Sequence, residues 1–253
     1  MKLFRLLLKP GLTAPVMALM FASAVCVAMV AIRVILAGNL VHAFLVWNLF
    51  LAWLPLIFAL EVCEQHVQGG RRRWRLAAWG VAWLLFFPNA PYIFTDLKHL
   101  TSRFQGHYWV DMMLILSCAL TGLMTGFVSL YVVQSIVAAR HGQVMSWLFI
   151  TGVAGLSGLG VFMGRFLRLN SWDVVWQPGK IFQRADTWMT NPFADARPYV
   201  FSTMFAVFLF IAYLMFHALT KLPPAERIAG RNNGICSHGA DGLVSNHHEL
   251  PTD

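Results

Sequence analysis

Apolar residues run almost without a break over residues 14–37, interrupted only by Arg33, and the same density returns over residues 41–60, 76–94, 109–133, 147–169 and 199–220. Each run comes close to or exceeds the roughly 20 residues that an α-helix needs to cross a hydrocarbon layer about 30 Å thick. Lipid offers no hydrogen bonds to a backbone, so a crossing segment has to satisfy its own, and helix does this within each segment. The pattern predicts an all-α protein: a polytopic transmembrane bundle of about six spans. The very short connection between the first two runs forces them into an antiparallel hairpin.

Two stretches leave this pattern. Residues 170–198 are polar but carry Trp172, Trp176, Phe182, Trp188 and Phe193. Within them Ile181, Phe182, Ala185, Trp188 and Met189 recur at helical spacing opposite Lys180, Gln183, Arg184 and Asp186. A short interfacial helix on the membrane surface is expected there, with a loop folded over the bundle mouth as the alternative. After Pro223-Pro224 the chain turns polar and loses apolar periodicity, which predicts a membrane domain over residues 1–222 and a disordered cytoplasmic tail over 223–253.

Composition sharpens the class. With 58% hydrophobic and 12% charged residues, the chain is too apolar for an ordinary soluble domain of its length. The formal charge of +8 would suit nucleic acid, yet the basic residues fill the gaps between apolar runs and form no basic face, so no nucleic-acid partner is expected. Topology accounts for them instead. With the N-terminus inside, Lys2, Arg5, Lys9, the RRRWR cluster at residues 71–75, Arg140, Lys221, Arg227 and Arg231 face the cytoplasm and outnumber Lys98, Arg103, Arg165, Arg168, Lys180, Arg184 and Arg197 on the other side. Both termini are expected to be cytoplasmic. Ala22-Ser23-Ala24 resembles a leader-cleavage site, but the length of the first apolar run favours a retained helix. Cys26, Cys63, Cys118 and Cys236 have no spacing that suggests a disulfide framework or zinc site.

Gly122 and Gly126 form a GxxxG pair in the fourth span, and Gly160 and Gly164 form another in the fifth, behind Gly152, Gly155 and Gly158. Close helix contact within the bundle is the expected purpose. Asn48 reads as a polar group midway through the second span, holding helices together or, alternatively, lining a path, and Glu61, Glu64 and His66 read as a solvated helix end.

The candidate chemistry gathers where the third span ends. In FFPNAPYIFTDLKHL, Pro88 and Pro91 remove two backbone donors and disfavour helix in the residues before them, so the span should bend or end near Asn89, whose side chain can meet a freed carbonyl. Thr95 or Asp96 would then cap a short helix carrying His99. Asp96 and His99, three apart, can bind a metal or exchange a proton; the alternative is a cap and an interfacial imidazole. In HYWVDMM, Asp111 opens the fourth span, where a carboxylate complements the positive helix end. In GRFLRLNSWD, Arg165 and Arg168 share a face at the end of the fifth span, followed by Asn170 and Asp173; either arginine could instead snorkel to headgroups. Charges just inside apolar helices are costly unless paired, so Arg165 is expected to pair with Asp96 or Asp111.

The segments WLLFFPNAPYIFTDLKHL, WVDMM and GRFLRLNSWDV resemble those of a family of bacterial membrane proteins, domain-of-unknown-function family 1361. The likeness covers roughly residues 39–219 and implies a polytopic bacterial inner-membrane protein. It brings no activity, so no catalytic role is carried onto any residue, and the first span with Arg33 lies outside it. From the residues themselves, Arg165, Arg168, Asn170, Asp173 and Asn89 are candidate ligand-binding groups, and Asp96, His99 and Asp111 candidate catalytic ones. The expected partners are membrane lipids and an anionic or lipid-linked small molecule. The competing expectations are a transporter or channel component and an assembly protein without site chemistry. No Walker loop, HExxH, GxSxG or cysteine-pair motif is present, so no motif names a cofactor or metal, and nothing in the pattern sets an oligomeric state.

Overall fold

A computed structural model of the chain describes residues 12–67, 73–99, 108–166, 179 and 196–222. The expected surface helix within residues 170–198 and the polar tail lie outside them. Among the described residues, six helices are long and apolar enough to cross a membrane, which makes this a multi-pass membrane protein. They are α1 (Thr13–Ala37), α2 (Phe44–Val67), α3 (Arg73–Phe86) with its continuation past the prolines, α5 (Tyr108–His141), α6 (Gln143–Phe166) and α7 (Arg197–Leu219). The chain divides into two compact units, Met1–Tyr213 and Leu214–Asp253, and every contact described below falls within the first.

The α1–α2 hairpin closes on a left-handed residue. Gly38 has φ +64°, a conformation that costs a side chain, and its N–H bonds the Val34 carbonyl at 2.9 Å to finish the helix. Asn39 then accepts a hydrogen bond from the Val41 N–H. Gly142, at φ +86°, makes the equivalent stop after α5, so α6 begins at the next residue.

The double-proline break forms as the sequence predicts. Helix α3 ends at Phe86, a single turn α4 (Asn89–Tyr92) follows, and residues Ile93–His99 continue as a tighter 3-10 helix. The Phe87 carbonyl, which Pro91 has no N–H to meet, accepts instead from the Ala90 N–H at 3.1 Å, so part of what the prolines free is taken up locally, and the Thr95 hydroxyl donates to the Tyr92 carbonyl at 2.7 Å. Thr95 thus serves the backbone, while the Asp96 carboxylate is buried.

Helix α5 is the pillar of the fold, with α1, α2, the break and α6 packed around it, while α3 packs chiefly on α2 and reaches α5 through Trp83. Its glycines explain how a broken helix fits so closely. A Cβ added at Gly122 would stand 2.8 Å from Ile93 Cδ1 and 3.1 Å from the Ala90 carbonyl, and one at Gly126 would stand 2.7 Å from Ala90 Cβ. From α6, a Cβ at Gly160 would meet Pro88 Cγ at 2.8 Å. Both glycine-bearing helices are therefore notched to receive the Pro-Asn-Ala-Pro break. Gly158 receives the backbone of α7 at Ser202, whereas Gly152 and Gly155 face open space. The buried hydroxyls of α5 add no unmet polarity, because Thr121, Thr125 and Ser129 donate to the carbonyls of Ser117, Thr121 and Gly126.

Candidate functional site

Five elements bring polar side chains to one end of the bundle: the C-terminal ends of α1 and α6, the starts of α2 and α5, and the 3-10 helix. Their charges resolve into two clamps, each built on a carboxylate that the fold removes from solvent.

In the first, Arg33 of α1 grips Asp111 of α5 with two parallel hydrogen bonds, Nε to Oδ1 at 2.6 Å and Nη2 to Oδ2 at 3.1 Å. His42, in the hairpin turn, places Nε2 3.5 Å from the same Oδ1. Asp111 has no exposure and Arg33 retains 11%, so the pair is effectively internal. Bidentate geometry is what makes such a pair tolerable, because both oxygens keep donors after water is stripped away. Asp111 was expected to complement its helix end, and it lies in the first turn of α5, but its main partner comes from a different helix.

In the second clamp, Asp96 receives Asn48 Nδ2 on Oδ2 at 2.8 Å and Arg165 Nη1 on Oδ1 at 2.9 Å. Asp96 is 2% exposed and Arg165 13%. Of the two partners anticipated for Arg165, Asp96 is the one it takes. Asn48 does tie helices together, but it sits about one turn inside α2, whose first residue is Phe44, and so lies near the end of the span where a midspan position was expected. Beneath the clamps, Val30, Leu45, Leu49, Ile93, Leu114 and Ile115 form one apolar cluster, with Val34, Leu97 and Met112 packed against it. Residues that neighbour Arg33, Asp96 and Asp111 in sequence thus supply the apolar packing at this end.

Arg33, His42 and Asn48 are the site residues that the sequence pattern alone does not assign to the candidate site. The signal for Arg33 was present: a guanidinium inside an otherwise apolar run requires a partner. His99 closes the 3-10 helix at this same end. Its side chain, and Arg168, Asn170 and Asp173, lie outside the described residues. Asn89 sits half-buried within the proline break. Among the described residues no three His, Cys, Asp or Glu side chains come together as metal ligands.

Two positive and two negative side chains cancel within the clamps, and His42 adds no charge at neutral pH. Burial holds its imidazole below the ordinary range and Arg33 pushes the same way, against the opposing pull of Asp111. A histidine kept neutral when folded but free to charge when unfolded contributes stability above its unfolded pKa, about 6.5. That contribution fades as pH falls below this value. The unfolding temperature in detergent should therefore drop between pH 7.5 and 5.5, and His42→Gln should flatten the drop; an equal slope in both proteins would refute the assignment.

Lys98 adds a further cation at this end. Exposed on the 3-10 helix, it holds Nζ 5.9 Å from the ring centroid of Phe166, the neighbour of Arg165 in sequence.

The fold and the clamps together define a polytopic helical membrane protein with ionised side chains buried at one end of its bundle. The chain belongs to the family described as "Protein of unknown function (DUF1361)", whose model matches residues 47–215. The matched stretch holds Asn48, Asp96, Asp111 and Arg165, whereas Arg33 and His42 precede it. No curated protein and no solved structure is matched by the chain.

Proposed function

We propose that this is a bacterial inner-membrane protein, with both termini cytoplasmic, whose extracytoplasmic end holds a site for an anionic, lipid-linked ligand. The orientation rests on the excess of Lys and Arg at the opposite end, led by the RRRWR cluster. The observation that carries the site is the way Arg165 is used. Its guanidinium has five N–H donors in a fixed fork. One nitrogen, Nη1, bonds Asp96, and among the described residues no other hydrogen bond or ion pair takes the remaining donors. A cation anchored on one side and only partly exposed on the other suits a phosphate or carboxylate. Asp96 and Asn48 orient it; Arg168, Asn170, Asp173 and Asn89 are proposed to complete the site. Proton transfer or metal binding is the role proposed for Asp96, His99 and Asp111.

A second reading is favoured by the fully buried, bidentate Asp111 pair: the clamps serve only to lock the helices. Charge-neutral exchange separates the two. Arg165→Gln or Asp96→Asn alone leaves a buried group without its partner and should lower the amount of protein in the membrane. The double variant replaces the ion pair by neutral amides that can bond each other and should restore that amount. Under the site reading, envelope-lipid profiles of the restored double variant still match those of a deletion strain. Full recovery of the wild-type lipid profile by the double variant would sink the site and leave the structural role.

A further inference from the structure

The last helix meets the bundle largely through aromatic rings. Phe201 of α7 lies 5.2 Å from Phe166 and 5.9 Å from Phe162 of α6 by ring centroid. Phe205 stacks on Phe201 at 5.7 Å and lies 5.8 Å from Phe208, which in turn lies 5.5 Å from Phe94 of the 3-10 helix. Positions 201, 205 and 208 follow the i, i+4, i+7 pattern of a single helix face and cover about 10 Å along the axis. Phe166 at the head of this strip is 50% exposed and Phe208 at its far end 39%, so the rings are not closed into the core. Backbone approach is tight where Gly158 meets Ser202.

What distinguishes this strip from any other apolar helix face is its head. Phe166 is the residue next to Arg165 and carries Lys98 over its ring. Among the described residues, two cations from different elements, Arg165 and Lys98, thus stand where the strip reaches the end of the bundle, the first bonded to the Asp96 carboxylate. Chain burial alone selects nothing in a membrane, because surrounding lipid tails are as apolar as any side chain. Selection has to come from the headgroup, and the net positive charge calls for an anionic one.

We propose that a membrane lipid with an anionic phosphate headgroup occupies this strip, its phosphate between Arg165 and Lys98 and one acyl chain along Phe166, Phe201, Phe205 and Phe208. This deepens the anionic-ligand reading above and rests on it, adding the lipid class, a second cation and the place of the chain.

The test uses the full chain in nanodiscs containing a trace of phosphatidic acid with a diazirine midway along one acyl chain, with phosphatidylcholine bearing the same chain as the comparison. After illumination, the labelled peptides are mapped by mass spectrometry. The phosphatidic acid probe should label the peptide bearing Phe201–Phe208 at least about fivefold more than the phosphatidylcholine probe, as one basic residue near a charged headgroup allows. Lys98→Gln, at an exposed position, should reduce that labelling by about the same factor, and excess glycerol 3-phosphate should not compete. Equal labelling by the two probes would mark an ordinary boundary lipid and overturn the proposal, and absence of labelling there, as when a second copy covers the strip, would do the same. Full competition by glycerol 3-phosphate would replace the lipid with a soluble phosphate. Headgroup-selective labelling away from α7 and indifferent to Lys98→Gln would refute this placement while leaving the anionic-ligand reading intact.

Discussion

Replacing Asp111 by alanine should destabilise the protein by about 3–5 kcal/mol, the usual cost of removing one partner from a buried ion pair. The reason lies in what remains. Arg33 would be left inside the bundle at 11% exposure with both of its Asp111 hydrogen bonds gone and His42 as its neighbour. An arginine cannot shed its proton to escape, so its desolvation goes uncompensated. Asp111→Asn should be milder, since an amide oxygen still accepts from one guanidinium nitrogen. The most informative variant is the double exchange Arg33→Met with Asp111→Leu, which removes both charges and fills the space with apolar volume. It should recover most of the loss, because buried pairs replaced as a unit are often neutral or stabilising. Unfolding temperature in detergent and the amount retained in membranes measure both. If the single variant unfolds like wild type, or the double variant remains as unstable as the single, Arg33–Asp111 is not the strut described here.

Gly158→Ala should also be damaging, although it adds a single methyl group. A Cβ at this position would press on the Ser202 carbonyl oxygen, with the carbonyl carbon at 3.1 Å and Cα at 3.3 Å. Those are backbone atoms within α7, so no rotamer change relieves the clash, and the whole helix has to move. Overpacking of this kind costs about 1–3 kcal/mol. Gly152→Ala, on the same helix but with nothing within 4 Å of the added carbon, should cost nothing and gain a little helix propensity. The two variants share chemistry and helix and differ in what faces them. Comparable unfolding temperatures for both would show that α7 does not cross α6 at Gly158.

Much of the local architecture was legible because it depends on short-range physics. The prolines at 88 and 91 break the third span for reasons internal to the segment, namely missing donors and restricted preceding residues. The glycines of the fourth and fifth spans announced close packing, and Gly122, Gly126, Gly158 and Gly160 provide it. Their use as sockets for the proline break itself was not legible, since it depends on the rotation of one helix against another. Gly152 and Gly155 show the same limit from the other side: identical residues in the same run face open space. Asn48 illustrates a subtler loss. A shift of a few residues in where α2 begins moves it from midspan to the end where Asp96 waits, and helix boundaries are the least certain part of any sequence reading.

By itself, the sequence determined that the chain crosses a membrane about six times, that the third crossing breaks, and that Asp96, Asp111 and Arg165 collect toward one end. Each of these follows from run length, apolarity and order along the chain, which the bilayer turns directly into spans and turns. Only the tertiary structure decided which carboxylate answers to which cation. Arg33 finds Asp111 across 78 residues and Asn48 finds Asp96 across 48, while Arg165 takes Asp96 and leaves Asp111 to the first helix. Such choices depend on the azimuth of each helix and on angstrom-scale approach at glycine notches, quantities that arise only when all the helices pack at once.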